Sequence, residues 1–432
     1  MTPLAWLAVI DLVAVVVLIA RRVDVRLTLL LGAAALFAAD GGAGMADMLA
    51  KVVAEMSNAA TIVPIGSAMG FAYVLRVTGC DREMVRLLLR PLRRVPALLV
   101  PGGVVAGYLV NTTIVSQAGT AAVLGPILIP LLRAGGLNAA TAGATLLLGA
   151  SMGGELFNPG AVEMRKLSEL TGLAGHDVVS RQAPLNFLAC GASLLTFWLL
   201  AWRRSRTAEP TTVVGPELSE PRVNLFKAAV PVAPLAILFA DAMLGASSPL
   251  VDFAGPSKIL AAMLIGLMMA WLAVPRCGPR LAPEFFEGAG YAYTHVISLI
   301  VAASTFAEGV RRGGLIRVVV EALAGRPALA PFASAVLPWG LAVIGGSGIA
   351  PAVAIMEFFV PAAESLGLDP VRIGTLASLG AHFGRTMSPA AAVVAMSARL
   401  SGEAGRRLVA TVAPPLLVGM AVMILATVLG LV

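Results

Sequence analysis

Apolar runs of about 15 to 20 residues recur along the whole chain, separated by short polar turns. Runs of that length at helical period are the pattern of a polytopic helical membrane protein. Spans are expected at Leu4–Ala20, Val25–Ala39 and Ala59–Val77. Met45–Met56 is less apolar and carries Asp47, Lys51 and Glu55, so it reads as an interfacial amphipathic helix. Leu98–Leu132 is different: as one helix it would be about 52 Å long, well past a ~30 Å hydrocarbon core. Its middle is polar, with Asn111-Thr112-Thr113 and Ser116-Gln117-Ala118-Gly119-Thr120. That pattern predicts a re-entrant hairpin, because broken backbone at membrane depth survives only inside protein or against a cavity. Ala139–Ala150 should be helical and then be interrupted by Gly149-Ala150-Ser151-Met152-Gly153-Gly154-Glu155-Leu156-Phe157-Asn158-Pro159-Gly160, before Leu185–Trp202 returns.

The second half repeats this order. Val230–Leu244 and Ile259–Val274 are expected to span, Pro283–Ala289 to lie near the surface, and Ile297–Val310 to span. Leu329–Ala363 is a second long apolar run, broken at Gly345-Gly346-Ser347-Gly348. Ile373–Met396 is interrupted from Gly380 to Pro389, and Leu408–Leu431 ends the chain. Residues match as well as order. Phe71-Ala72 and Gly79 recur at a common offset as Phe306-Ala307 and Gly314, and Arg90-Pro91 recurs as Arg326-Pro327. Pro130 and Gly149-Ala150 recur as Pro361 and Gly380-Ala381, and Asn158-Pro159 answers Ser388-Pro389.

Composition agrees with a membrane bundle: 58% of the 432 residues are hydrophobic and 13% charged, with a mean hydropathy of +0.90. The net charge of +7 does not point to nucleic acid, since no basic stripe interleaved with aromatics exists. The positive residues sit in short loops instead. Arg21, Arg22 and Arg26 follow a first span whose leading residues carry no charge, which puts the N-terminus outside. The Arg82–Arg94 loop, Arg133 and the Arg203–Lys227 linker then fall inside. An odd number of crossings in the first half inverts the second, bringing Arg399, Arg406 and Arg407 inside but leaving Arg311 and Arg312 outside, against the rule. The first 20 residues lack a basic leading region and read as a retained helix. Cys80, Cys190 and Cys277 match no metal spacing and read as unpaired thiols.

The fold class is therefore an all-α polytopic membrane protein of two inverted repeats, each with a re-entrant hairpin and a discontinuous helix, about ten crossings in all. Its divisions are residues 1–95 (scaffold helices of the first repeat), 96–202 (hairpin, broken helix and return helix), 203–227 (cytoplasmic linker), 228–326 (scaffold helices of the second repeat) and 327–432 (hairpin, broken helix and last helix). Inverted repeats with paired broken helices point to a secondary transporter.

Gly346-Ser347-Gly348-Ile349-Ala350-Pro351 and the stretch from Gly380 to Pro389 resemble the anaerobic C4-dicarboxylate carrier family, DcuC. Gly70-Phe71-Ala72-Tyr73 and Phe306-Ala307-Glu308-Gly309 are similar to that family too. The likeness runs over nearly the whole chain and is most specific from Leu299 onward. The first broken segment matches only in its small residues and its carboxylate. The resemblance implies membership of the ion transporter superfamily, with a dimerising scaffold and a transport domain that shifts like an elevator.

Arg385 is the sharpest site candidate, a guanidinium in an apolar region at an expected break; guanidinium forks match carboxylates. The bland alternative is an ion pair with Glu155. Ser116, Gln117, Gly119 and Thr120 form the first expected tip, and Ser347 and Gly348 the second. Their hydroxyls, amides and open backbone suit a carboxylate or a cation; the alternative is local bonding in a tight turn. Thr386, Asn158 and Ser388 join the substrate set, the last two alternatively as caps. Glu155 and His382 are candidates for ion or proton coupling, set against a structural pairing and a packed histidine. Glu357, Glu308 and Asp11 are expected to be structural, and His176 and His295 to lie in loops or at the interface.

No nucleophile elbow, zinc-protease motif or phosphate loop is present, so enzyme chemistry is not expected. The expected function is secondary active transport of a small carboxylate, C4-dicarboxylates such as succinate or fumarate first, across a bacterial inner membrane. No cofactor is called for beyond a coupling proton or Na+. The expected partners are the lipid bilayer and a second copy of the chain. The alternative is a cation/proton antiporter on the same fold.

Overall fold

A computed structural model describes residues 3–21, 23–41, 44–94, 98–205, 223–253, 255–314 and 329–431. Most of the expected 203–227 linker and the Arg326-Pro327 recurrence lie outside the described residues. The described secondary structure is helical. Among the described residues, seven helices are long and apolar enough to cross a membrane, and five shorter apolar helices accompany them.

The chain begins with α1 (Pro3–Ala20), α2 (Val25–Ala39), the short α3 (Gly44–Met56) and α4 (Ala59–Thr78). Asp24 and Asn58 cap α2 and α4, each accepting from backbone amides of the first turn. The amphipathic α5 (Cys80–Leu89) follows, then α6 (Leu99–Thr113) and α7 (Gln117–Ala134), which form the first hairpin. Its tip is Ile114–Ser116, and Ser116 caps α7 by accepting from the Gly119 amide at 3.2 Å. Next come α8 (Ala139–Ser151), a 3₁₀ turn at Gly154–Phe157, α9 (Val162–Thr171) and the long α10 (Gly175–Ser205).

After the linker, α11 (Leu225–Ala229), α12 (Ala233–Leu244), α13 (Gly255–Ala273) and α14 (Gly278–Ala292) lead through a π-helical turn at Tyr293–Ile297 into α15 (Ser298–Arg312). The segment Pro283–Ala289, expected near the surface, is part of α14, with Pro283, Phe286 and Glu287 exposed. On its buried side Gly288 has no side chain and lets α14 lie against the α4 backbone at Met69 and Gly70. The second hairpin is α16 (Leu329–Gly345) and α17 (Ile349–Ala363), followed by α18 (Pro370–Thr386), α19 (Ala392–Ser401) and α20 (Gly405–Val428).

The order α6 to α10 recurs as α16 to α20, and details recur with it. Asn138 caps α8 and Asp369 caps α18. Left-handed glycines recur as Gly79 and Gly314, Gly136 and Gly367, and Gly172 and Gly402.

One expectation fails in position. The interruption foreseen from Gly380 to Pro389 is not a break at Gly380, because α18 stays helical through Thr386 and breaks only over Met387–Ala391. Gly380 and Gly384 serve packing instead: a Cβ at either would fall on the carbonyl oxygens of Ala335 and Trp339 in α16. Two glycines one turn apart therefore let α18 nest against α16.

The buried core falls into three clusters. The largest draws on residues 84–201 and 330–426, the hairpins, broken helices and long return helices. Two smaller ones draw mainly on residues 8–75 and 230–310, from α1 to α4 and α11 to α15.

Candidate functional site

The first break is built by the backbone before any charge is considered. Gly153 adopts φ 131°, a left-handed conformation that side chains rarely take, and it ends α8. The freed carbonyls of the break are then satisfied from α10. Asn186 donates to Gly153 O at 3.2 Å, Gln182 to Leu156 O at 3.1 Å, and the Cys190 thiol to Met152 O at 3.2 Å. The Tyr108 hydroxyl donates to Asn186 at 2.6 Å and fixes it. Unpaired backbone this deep would be costly, so α10 is what makes the break tolerable.

The first hairpin seats on the break. The Glu155 amide donates to Asn111 Oδ1 at 3.1 Å, Thr112 Oγ1 donates to Gly154 O at 3.1 Å, and Asn158 Nδ2 donates to Thr112 O at 3.1 Å. This carries the Glu155 side chain, 1% exposed, into the interior.

The last turn of α18 meets it there. Arg385 Nη2 reaches Glu155 Oε1 at 3.3 Å and Ser151 O at 3.4 Å. His382 Nε2 also contacts Glu155 Oε1, and Gln117 Nε2 donates to Glu155 Oε2. His382 Nδ1 faces Ser378 O at 2.7 Å, a carbonyl that only accepts, so Nδ1 carries a hydrogen. Its Nε2 faces the Glu155 carboxylate. Thr386 bonds Ser151 Oγ at 2.8 Å and joins the two breaks directly.

The remaining candidates divide. Gly348 belongs to the cluster, since its bare Cα faces Ala381 O and the Arg385 guanidinium. Ser347 does not; it lines a separate apolar crevice of about 320 Å³ between α1, α2, α15 and the second hairpin. Thr120 donates to Ile114 O at 3.2 Å, and Gly119 packs on Ser116, so both hold the tip's shape. Asn158 and Ser388 accept from the amides of Gly160 and Ala390, at 2.9 and 3.4 Å, and act as local caps. Glu357 is structural, paired with buried Lys166 at 2.5 Å and accepting from Ser304. Glu308 pairs with Arg311 and Arg312.

Sequence reasoning missed Glu163. It sits on α9, is 2% exposed, and lies with Glu155 and His382 so that their ionisable atoms fall within 4.8 Å of one another. A polar decapeptide, Val162–Thr171, reads as a surface helix. The usable signal was its neighbour Pro159-Gly160, which turns the chain back inward. A small cavity of about 30 Å³ opens beside this group. Gln117, Glu155 and Glu163 line it from α7, the first break and α9, and Ala68, Met69 and Val296 from α4 and the π-helical turn.

Comparison with known proteins follows the same outline. Residues 32–432 match the model of a family described as the C4-dicarboxylate anaerobic carrier. A transporter of Haemophilus influenzae is 29% identical over 286 residues, 63% of this chain and 99% of its own length. The anaerobic C4-dicarboxylate transporter DcuC of Escherichia coli K12 is 23% identical over 366 residues, 83% of this chain and 78% of its own. The crystal structure of the Alcanivorax borkumensis YdaH transporter, described as having an unusual topology, superposes with a TM-score of 0.63 at 16% identity. The match covers 97% of this chain and 98% of that one.

Proposed function

The chain belongs to the C4-dicarboxylate anaerobic carrier family, and from that premise we propose that it is a secondary active carrier of small organic anions, C4-dicarboxylates first, working by an elevator-type shift. One observation carries the reading. Arg385 is a buried guanidinium, 5% exposed, set between two helix breaks, and it already holds a carboxylate, that of Glu155. A substrate carboxylate can take the same fork in exchange. Its Nε has no partner among the described residues, which leaves a donor for a second oxygen.

The cavity of about 30 Å³ holds a water or two and no dicarboxylate. Loading therefore requires the hairpin tips to part. The separate core clusters support a division into a moving block and a framework, with inverted repeats, a homodimer and a bacterial inner membrane as the setting. Energy then comes from an ion gradient or from exchange.

Reconstituted vesicles test this. Labelled succinate should enter, fumarate should compete, and Arg385→Ala should abolish uptake. A second reading, a cation/proton antiporter, draws support from the Glu155, Glu163 and His382 grouping. It requires cation-driven pH change with no anion uptake.

A further inference from the structure

The ionisable groups at the site differ in what they are free to do. Both oxygens of Glu155 are engaged, Oε1 by His382 and Arg385 and Oε2 by Gln117. His382 is held at both nitrogens, between Ser378 O and Glu155. Each already has a hydrogen-bond partner at both of its polar side-chain atoms. Glu163 is different: it is as deeply buried, yet its Oε1 has no hydrogen-bond partner among the described residues. It also borders the cavity between the two blocks. A carboxylate with an unbonded oxygen in such a place is costly, whereas a carboxylic acid is tolerable.

Among the described residues the nearby cations are engaged elsewhere: Arg165, on the same helix as Glu163, donates to Ala60 O at 3.0 and 2.8 Å. Glu163 feels His382, Glu155 and Arg385; the His382 Nε2 and the Arg385 Nη2 already contact Glu155. Lys166, on the same helix, is taken by Glu357 of α17 and Glu169. On α4, Arg76 stacks on Tyr73. On α10, His176 pairs with Asp177, and Arg181 is exposed. On α18, Arg372 lies near Asp369.

We propose that Glu163 carries the coupling proton, held as a carboxylic acid while the cavity is closed and released when the cavity opens to water. The proton leaves Oε1 for water, and the carboxylate formed is stable only while hydrated. The block therefore moves with Glu163 protonated. The proposal rests on the carrier reading for what accompanies the proton, but not for the proton itself.

Two measurements on the purified, reconstituted full chain test it. The first is infrared difference spectroscopy between acid and alkaline buffer. The wild type should show a protonated-carboxyl component that Glu163→Gln lacks, beside the bands of Asp81 and the other carboxyls, which are common to both. The second is transport. Glu163→Gln should keep succinate counterflow, lose uptake driven by a pH gradient, and lose the pH dependence of counterflow. Glu163→Asp, which keeps the acid, should retain gradient-driven uptake with a displaced pH profile. Gradient-driven uptake persisting in Glu163→Gln would overturn the assignment. So would uptake driven by Na+ with no response to pH, or a folded Glu163→Gln that has also lost counterflow. If no carboxylate moves in the wild type but that carboxyl component is still lost in Glu163→Gln, the proton site stands and the substrate reading falls.

Discussion

Arg385 and Glu155 stand 230 positions apart in sequence and form a buried ion pair, Nη2 to Oε1, at 3.3 Å. The pair closes the end of α18 onto the first break, so it serves the resting structure as well as any substrate. Losing the arginine leaves the buried Glu155 to His382 and Gln117, so the cost is at most that of a fully broken buried pair, about 3–5 kcal/mol. Arg385→Ala should therefore lower the melting temperature as well as abolish transport. Arg385→Gln combined with Glu155→Gln should recover most of the stability and none of the transport. Thermal unfolding of the two variants beside the wild type in detergent separates the two roles.

Gln117 reports on the hairpin. Its amide donates to Glu155 from the start of α7, and a bond to a charged group contributes about 1.5–3 kcal/mol. Gln117→Leu should loosen the tip by that order, and Gln117→Glu, which sets a second carboxylate against the first, by more. Thiol labelling of Ser116→Cys at the tip should be faster in both backgrounds.

How far the sequence reached is visible at these residues. Apolar run length and the polar middle of Leu98–Leu132 were enough for the first hairpin, because bilayer thickness forbids the alternative. Arg385 and Glu155 were conspicuous for the same reason, as charges that lipid would not tolerate. Glu163 and Lys166 were hidden in a polar helix whose burial depends on four other helices folding over it. The continuity of α18 was hidden because glycine breaks an isolated helix and also admits a close neighbour. Only the position of α16 decides which. Arg311 and Arg312 opposed the loop-charge rule, which counts positive residues whatever their partners. Here Glu308 and Asp47 lie within 2.7 Å of them.

The glycine argument has its own test. Gly380→Val should push α18 off the Ala335 carbonyl and destabilise by at least about 1–3 kcal/mol, the usual cost of overpacking. Gly340→Ala on α16 is the control, because its Cβ would meet nothing within 4 Å. Unfolding curves should show a large loss for the first and little change for the second.

Asp81 offers a pH dependence outside the membrane-spanning segments. It lies in the amphipathic α5, is 1% exposed, and burial lifts its carboxyl from 3.8 to about 6, against the weaker pull of the Arg82 amide and of Arg82 and Arg76. A folded pKa above the unfolded one favours the neutral acid in the fold. The penalty is absent below the unfolded value, grows as pH rises from about 4 to 6, and is complete above that, reaching at most about 3 kcal/mol. Asp81→Asn should raise the melting temperature at pH near 8 and leave it nearly unchanged in strongly acid buffer. An equal gain at both would mean that packing, not charge, is responsible.

The elevator shift predicts that one cross-link should stop transport and another should not. A Cβ built on Gly160, in the first break, would lie 3.6 Å from Ala68 Cβ on α4. That separation suits a disulfide. Gly66 and Ala289 offer a similar spacing of 3.8 Å, but within the framework, between α4 and α14. Oxidising the Ala68→Cys, Gly160→Cys pair should therefore arrest uptake, with recovery on reduction. The Gly66→Cys, Ala289→Cys pair should oxidise and leave uptake intact. The native Cys80 and Cys190 are buried thiols and Cys277 is half-buried, so a background lacking all three is the proper host. If the first disulfide forms fully and transport continues, α4 and the break travel together, and the motion that loads the site must lie in the hairpin tips alone.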